Sequence, residues 1–172
     1  FDEARHFDPA AEVGVVPFKG EKLGISVCED AWSGEESWSR RFYDRNPIEI
    51  QAQDGATVFV NLSASPYQVG KDEYRYRLME AHAQRFGVPF VHVNQVGGND
   101  ELIFDGNSYA FDGQGKPLAA LPGYQEAVVT VDTIEPYGSI EQYSIALAEK
   151  WKVGSRDRDD GVILLVTMKE RE

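Results

Sequence analysis

The chain has 172 residues, of which 42% are hydrophobic and 27% charged, a composition that suits one soluble domain at a length too short for two full ones. Its 29 acidic residues outnumber its 17 basic ones, and a net charge of -12 argues against nucleic acid and membrane surfaces as partners. It has no apolar run of the roughly 20 residues that span a bilayer, and its first residues, FDEARHFD, have neither the basic nor the apolar segment expected of a signal peptide. A single cysteine allows no internal disulfide, so we expect a cytoplasmic protein.

The first part of the chain predicts two strands and a short helix. The β-branched stretch from Val13 to Phe18 and the run KLGISVC flank the tight turn KGEK. Cys28 then lies where the second strand ends. Pro47 begins a short helical pattern, and Gly55 ends it.

The middle of the chain predicts a strand, a helix and another strand. The runs TVFVNLSA and PFVHVNQVG are typical of strands that are covered on both faces. Between them, Tyr76, Met79, Ala83 and Phe86 follow helical spacing, and Gly87 supplies the stop. This order predicts an α/β layered fold. The segment ELIFDGNSYAFDGQGKPLAAL then alternates around turn sequences and predicts a β-hairpin or meander.

Cys28 allows two interpretations from the residues alone. A thiol at a strand end is well placed for a nucleophile, because backbone N–H groups there can face a developing oxyanion. A lone cysteine after an apolar run is, however, more often a packed core residue. The negative neighbours Glu29 and Asp30 disfavour a thiolate, and no spacing pairs Cys28 with a histidine.

Three motifs together resemble a known family: GISVCEDAW, GATVFVNLSASPYQVGKDEYRYRLM and PFVHVNQVGGNDELIFDGNSYAFDGQG. They are similar to the glutaminase domain of glutamine-dependent NAD synthetase, a member of the nitrilase (carbon-nitrogen hydrolase) superfamily. The opening FDEARHFDP resembles the segment after that family's catalytic lysine, and the match runs from Phe1 to about Leu121. The resemblance implies the C-terminal part of a nitrilase-like αββα sandwich, truncated at its N-terminus, with a short helix-strand tail. Residues 1–125 are then a partial glutaminase domain.

The resemblance also implies roles for individual residues. Cys28 is the nucleophile that attacks the glutamine side-chain amide and forms a thioester while ammonia leaves, and Glu29 lines the substrate pocket. Ser65 and Lys71 hold the α-amino and α-carboxylate ends of glutamine, since a hydroxyl and a cation suit a zwitterion. Phe1 lies at the pocket wall, and the site contains no metal. Without the resemblance, Ser65 is interpreted as part of a strand-terminating turn and Lys71 as a solvated first-turn residue.

Two catalytic groups of the family, a Glu general base and an oxyanion-stabilising Lys, lie before the matched region. We therefore expect a fragment that hydrolyses glutamine poorly when alone. The implied partner is the ammonia-accepting synthetase domain, which uses ATP and Mg, whereas the glutaminase part needs no cofactor. We also expect homo-oligomers, because half a sandwich exposes apolar sheet surface. The alternatives are another nitrilase-superfamily amidase and a non-catalytic fusion or interaction module.

Residues 126–172 differ in character from the rest. Ile140, Tyr143, Leu147 and Trp151 form one helical stripe, followed by a charged turn and the strand-like run VILLVTM. This segment resembles part of the TPM domain family, in which acidic loops can carry a metal. The acidic residues in question here are Asp157, Asp159 and Asp160, and their spacing favours a solvated turn instead.

Overall fold

The computed structural model describes residues 6–8, 10–32 and 45–129. The elements in these ranges are, in chain order, β1 (Val16–Phe18), β2 (Glu21–Val27), a 3-10 helix (Cys28–Trp32), α1 (Pro47–Gln53), β3 (Val58–Ser63), α2 (Lys71–Phe86), β4 (Phe90–Asn94), β5 (Val96–Asn99), β6 (Leu102–Asp105), β7 (Tyr109–Phe111) and β8 (Pro117–Ala120). Phe1 lies outside the described residues, as do the helix, acidic turn and strand predicted for the tail.

Six of these strands form one mixed sheet in the order β1-β2-β3-β4-β7-β8. The central strands β2, β3 and β4 run parallel, whereas β1, β7 and β8 are antiparallel to their neighbours. The helices α1 and α2 supply the crossovers that neighbouring parallel strands require. Strands β5 and β6 pair separately. The α/β layered fold predicted from the sequence is confirmed.

α1 begins, and α2 ends, at the predicted signal, and α1 ends at Gln53, two residues before the predicted Gly55. Pro47 is the first residue of α1, and the side chain of the preceding Asn46 accepts a hydrogen bond from the Glu49 N–H. α2 is followed by Gly87, whose φ of 66° is in the left-handed region that glycine adopts without strain. No helix within the described ranges is long and apolar enough to cross a membrane.

The core lies between the two helices and one face of the sheet. Phe59, Phe90 and Phe111 are fully buried there and pack with Met79 and Ala83 of α2. The rings of Phe59 and Phe90, on neighbouring strands, have centroids 5.7 Å apart. This packing fixes α2 across the parallel strands and so fixes where its first residue lies.

The opposite face of the sheet is apolar and partly open to solvent, because Val58 and Val60 of β3 are buried on it while other side chains there are exposed. Side chains alternate between the two faces of a strand, so those that point away from the helices form one surface. This open face comprises Val16, Phe18, Ile25, Val27 and Leu62, which are between 39% and 56% exposed. The prediction that TVFVNLSA is covered on both faces is confirmed for Val58, Phe59, Val60 and Asn61, which are buried, and is wrong at Leu62, which is exposed.

The run PFVHVNQVG forms two strands, not the single strand that the sequence predicts. β4 ends at Asn94, whose side-chain amide donates to the Gly106 carbonyl at 3.0 Å, and Val96 then begins β5. Gly97 has a φ of 129°, which lets the chain leave the main sheet. The hairpin predicted next is confirmed, since β7 pairs with β8 through a turn in which the Gly115 N–H donates to the Asp112 carbonyl.

Candidate active site

Cys28 lies at the sharp turn from β2 into the 3-10 helix. Its φ of 44° is in the left-handed region, where a residue with a side chain is strained by about 1–2 kcal/mol. Such a residue persists only where its surroundings hold it, and a strained strand-to-helix turn is one way to present a nucleophile at the end of a sheet. The thiol is half-buried, so Cys28 is not a closed-core residue.

Two side chains of β3 hold this turn from beside it. The Ser63 hydroxyl lies 3.5 Å from Cys28 Sγ and donates toward the sulfur. The Asn61 side-chain amide donates to the Cys28 carbonyl, with 3.3 Å between nitrogen and oxygen. The Asp30 carboxylate folds back and accepts a hydrogen bond from the Val27 N–H at 2.8 Å. The neighbouring strand therefore contacts both the backbone and the thiol of Cys28.

Glu29 follows Cys28 and is half-buried. The C=O and N–H of a trans peptide point in opposite directions. Because the Cys28 carbonyl faces Asn61, the Glu29 N–H points away from Asn61. The backbone donor directly after the thiol-bearing residue thus has a defined direction, opposite to Asn61.

Lys71, the first residue of α2, lies close to the same turn. Its Nζ is 3.3 Å from the Pro66 carbonyl oxygen and 5.1 Å from the centroid of the Trp32 ring. Burial lowers the pKa of Lys71, whereas the charges of Cys28 and Glu29 act to raise it. Lys71 is therefore a half-buried cation within electrostatic reach of Cys28 and Glu29, not a solvated first-turn residue.

Ser65 lies just beyond the end of β3 and is buried, with only 1% of its surface exposed. Its N–H donates to Asn94 Oδ1 at 2.8 Å, and its carbonyl accepts from Arg75 Nη1 at 3.3 Å. Its hydroxyl has no hydrogen-bond partner among the described residues. Buried hydroxyls are normally paired, so this oxygen is still available to a partner from outside the described ranges.

A buried ion pair beside Ser65 was not predicted from the sequence. Arg75 Nη2 lies 2.5 Å from Asp105 Oδ2, and Asn94 and Asn107 also donate to the Asp105 carboxylate. Burial by itself raises the pKa of Asp105, but the hydrogen bonds from Arg75 and Asn107 outweigh it, so the pKa lies below its ordinary value. Asp105 is therefore held as a carboxylate inside the protein.

A row of four buried polar side chains crosses the sheet on its helix-facing side, and the sequence did not predict it either. Ser26, Asn61, His92 and Tyr109 occupy paired positions on β2, β3, β4 and β7, and we call them the polar row. Asn61 Nδ2 lies 3.0 Å from Ser26 Oγ, and Asn61 Oδ1 lies 2.9 Å from His92 Nδ1. The His92 ring stacks on Tyr109 with 4.9 Å between centroids. The row reaches the Cys28 carbonyl through Asn61.

Comparison with known proteins places this site in a family. The family model for carbon-nitrogen hydrolases matches residues 3–135. The chain belongs to the carbon-nitrogen hydrolase family. The model of the TPM domain also matches, over residues 101–172. Both resemblances seen in the sequence are confirmed, and the two matches overlap in a region where β7 pairs with β4 of the hydrolase sheet.

Individual relatives of this chain are glutamine-dependent NAD synthetases. The one from Synechocystis sp. is 47% identical over 126 residues, which make up 73% of this chain and 23% of that protein. The solved structure of glutamine-dependent NAD+ synthetase from Acinetobacter baumannii, in complex with ADP, has a TM-score of 0.63 and 32% identity, covering 74% of this chain and 22% of that one. A carbon-nitrogen hydrolase from Helicobacter pylori shares the fold, with a TM-score of 0.60 and 22% identity over 72% of this chain and 44% of its own. The chain thus spans 23% and 21% of the lengths of the first two curated relatives.

Proposed function

We propose that this chain is part of the glutaminase of a glutamine-dependent NAD synthetase and supplies its cysteine nucleophile. In this role it releases ammonia from glutamine for the amidation of deamido-NAD. The observation that carries the proposal is Cys28, a strained and half-buried residue at a strand end, with the Lys71 ammonium beside it. The names of the curated relatives support the choice of glutamine as substrate.

The proposed chemistry begins with attack of the Cys28 thiolate on the side-chain amide carbon of glutamine. The C–S bond forms as electrons move onto the carbonyl oxygen, and the Glu29 N–H is oriented to donate to that oxyanion. The tetrahedral intermediate then expels ammonia after its nitrogen gains a proton, which leaves a thioester. Water hydrolyses the thioester to glutamate and returns the thiol.

The two ends of the amino-acid backbone of glutamine need opposite partners. The Lys71 cation suits the α-carboxylate, and the Ser65 hydroxyl suits the α-amino group as an acceptor. The hydroxyl is buried and has no partner within the described residues, which supports a role for it in binding. Glu29 and Phe1 complete the proposed pocket wall.

The proposed glutaminase step also needs a general base and an oxyanion-binding lysine, which the family resemblance assigns to segments before the match. We therefore predict that the 172 residues by themselves bind glutamine analogues at Cys28 but do not turn glutamine over efficiently. ATP and Mg belong to the ammonia-accepting synthetase part, and no step proposed for these residues uses them. The described residues contain no group of three or more metal-ligating side chains.

Covalent labelling with a glutamine-analogue electrophile tests the proposal. Because the sequence contains a single cysteine, any thiol adduct reports on Cys28, and Cys28→Ala is the blank. We expect an adduct that glutamine suppresses by competition and that asparagine, one methylene shorter, does not. Lys71→Met should weaken the competition by glutamine, whereas Lys116→Met, an exposed lysine in the β7–β8 turn, should not change it.

Two outcomes contradict the proposal in different ways. An adduct that forms equally well with glutamine present means a reactive thiol without a glutamine pocket, as expected for another amidase. The absence of any adduct favours a non-catalytic fusion or interaction module.

A further inference from the structure

Asn61 connects the polar row to the candidate nucleophile. It is fully buried in β3, and its side-chain amide donates both to Ser26 Oγ and to the Cys28 carbonyl. We propose that Asn61 is a positioning residue for Cys28 and that His92 in turn fixes the orientation of the Asn61 amide. This inference rests on the proposed role of Cys28.

The hydrogen bonds determine which way the amide faces. The Cys28 carbonyl can only accept, so the NH2 end of Asn61 faces it. The carbonyl end of Asn61 therefore faces His92 Nδ1 at 2.9 Å, and Nδ1 must carry the proton. Burial lowers the pKa of His92 to about 3, so the ring is neutral at physiological pH and has one N–H to give. A neutral His92 with its proton on Nδ1 thus holds Asn61 in one of its two orientations.

The consequence for Cys28 is mechanical. A φ of 44° is costly for cysteine, and the hydrogen bond from Asn61 holds the peptide after Cys28 in the orientation that goes with it. The same orientation points the Glu29 N–H away from Asn61. Removing the Asn61 amide lets this peptide rotate about the Cα–C bond of Cys28, so the Glu29 N–H is no longer held in one direction.

Within residues 6–8, 10–32 and 45–129, the charges near the thiol come from two elements. Glu29 and Asp30 lie on the 3-10 helix itself, and Lys71 reaches the site from α2. Replacing Asn61 changes none of them. A change in the titration of the thiol in an Asn61 variant therefore reports on backbone orientation and not on the loss of a neighbouring charge.

The test is the pH dependence of Cys28 alkylation by iodoacetamide in the full 172-residue chain, followed by mass spectrometry. For Asn61→Ala we expect the thiol pKa to rise by about one pH unit, because the Glu29 N–H is then no longer held in the direction from which it would stabilise the thiolate. The thiolate fraction at pH 7 then falls about tenfold. A thiolate that is more basic by one pH unit is also about threefold more nucleophilic, which offsets part of this loss. The net expectation is that alkylation at pH 7 slows about threefold. The limiting rate at high pH should rise.

Gln51→Ala is the matched control. Gln51 is equally buried, and its side-chain amide donates to the Ile25 carbonyl of β2 at 2.6 Å, three residues before Cys28. We expect a similar loss of thermal stability with an unchanged alkylation profile. Equal slowing in both variants would mean general loosening of the sheet and would overturn the proposal, as would an unchanged profile in Asn61→Ala.

A second pair of variants keeps the inference testable if Asn61→Ala does not fold. His92→Phe removes the donor to Asn61, whereas His92→Asn places an amide donor where Nδ1 was. We expect His92→Phe to slow alkylation at pH 7 and His92→Asn to restore most of the rate. Equal profiles in the two would overturn the role of His92. If the alkylation profiles of these variants are as expected but the glutamine-analogue electrophile does not label Cys28, the positioning role of Asn61 stands. That result would count only against the proposed function.

Discussion

Arg75 and Asp105 form an ion pair in which Nη2 and Oδ2 are 2.5 Å apart and both side chains are almost completely buried. The pair joins α2 to β6. Arg75 also donates to the Ser65 carbonyl, so the pair ties the segment after β3 to the separate β5–β6 unit. Two charges in a protein interior are stable only when each is paired, which makes this connection sensitive to the loss of one partner.

Arg75→Met should be strongly destabilising. It leaves the Asp105 carboxylate buried without its cation, a change that typically costs about 3–5 kcal/mol of the free energy of unfolding. The matched control is Arg77→Met on the same helix, which breaks an exposed pair with Glu73 and should cost only about 0.5 kcal/mol. Urea unfolding at pH 7 measures both, and similar losses would contradict the prediction.

The buried histidine predicts a second, pH-dependent effect on stability. The pKa of His92 is about 3 in the folded chain, and an unfolded histidine titrates near 6.5. Between these values only the unfolded chain binds the proton, so the free energy of unfolding falls as the pH decreases, by about 1.4 kcal/mol per pH unit once the unfolded residue is protonated. Below pH 3 this contribution is constant.

Two other groups act in the same direction and set the pH window of the measurement. The pKa of His82 is also lowered, chiefly by burial. Asp105 contributes to the free energy of unfolding above its unfolded pKa near 3.9. This contribution is lost as the pH falls through the lower pKa of folded Asp105. Between about pH 5 and 6 His82 and His92 therefore contribute to the slope, whereas Asp105 does not. His92→Phe should make stability in urea less dependent on pH in this window, and an unchanged slope would show that folded His92 is protonated there.

Much of the fold could be predicted from local signals. The stripe of Met79 and Ala83, with Gly87 after it, predicts α2, because helix burial follows a period of 3.6 residues that is written in the sequence. The strand end at Cys28 was predicted in the same way, since the apolar run KLGISV stops there. Such signals depend only on residues that are close together in the sequence, and not on the residues that they contact in the folded chain.

The support of the site could not be predicted, because its partners are distant in the sequence. In the sequence, Arg75 is one of several charged residues in KDEYRYR and has no feature that predicts burial. Its burial is explained by its contact with Asp105, 30 residues later in the chain. Asn61 reads as the polar end of an apolar run, and its role depends on the register that aligns it with Ser26 and His92. Charge and hydrogen-bonding capacity are visible in a sequence, but the pairing that satisfies them is not.

The charge of Lys71 should make the Cys28 thiol more reactive. The thiolate acts to raise the pKa of Lys71, and because this interaction is mutual the ammonium favours the thiolate. Lys71→Met should slow alkylation of Cys28 at pH 7 by about two- to threefold, an effect comparable to other charge neighbours of thiols. The exposed Lys116→Met serves as the control. A high concentration of salt should reduce the difference, and the same rate in both variants at low salt would contradict the prediction.

The open face of the sheet should cause the chain to associate. Contiguous apolar surface of this kind normally packs against another surface, and sheet faces are buried in layered folds. We expect light scattering to show oligomers, and Phe18→Lys or Ile25→Lys, which place a charge in the middle of the contact, to shift them toward monomer. Val69→Lys, on an apolar residue that is 87% exposed in the loop before α2, should leave the mass unchanged.

The comparison of these variants separates specific association through the open face from non-specific hydrophobic aggregation. If Val69→Lys dissolves the oligomer as well as Ile25→Lys does, the contact does not use the open face. If the unmodified chain is a monodisperse monomer, the prediction of association is wrong. Binding of a hydrophobic dye gives an independent readout, since it should decrease in Ile25→Lys only if the open face is accessible in the monomer.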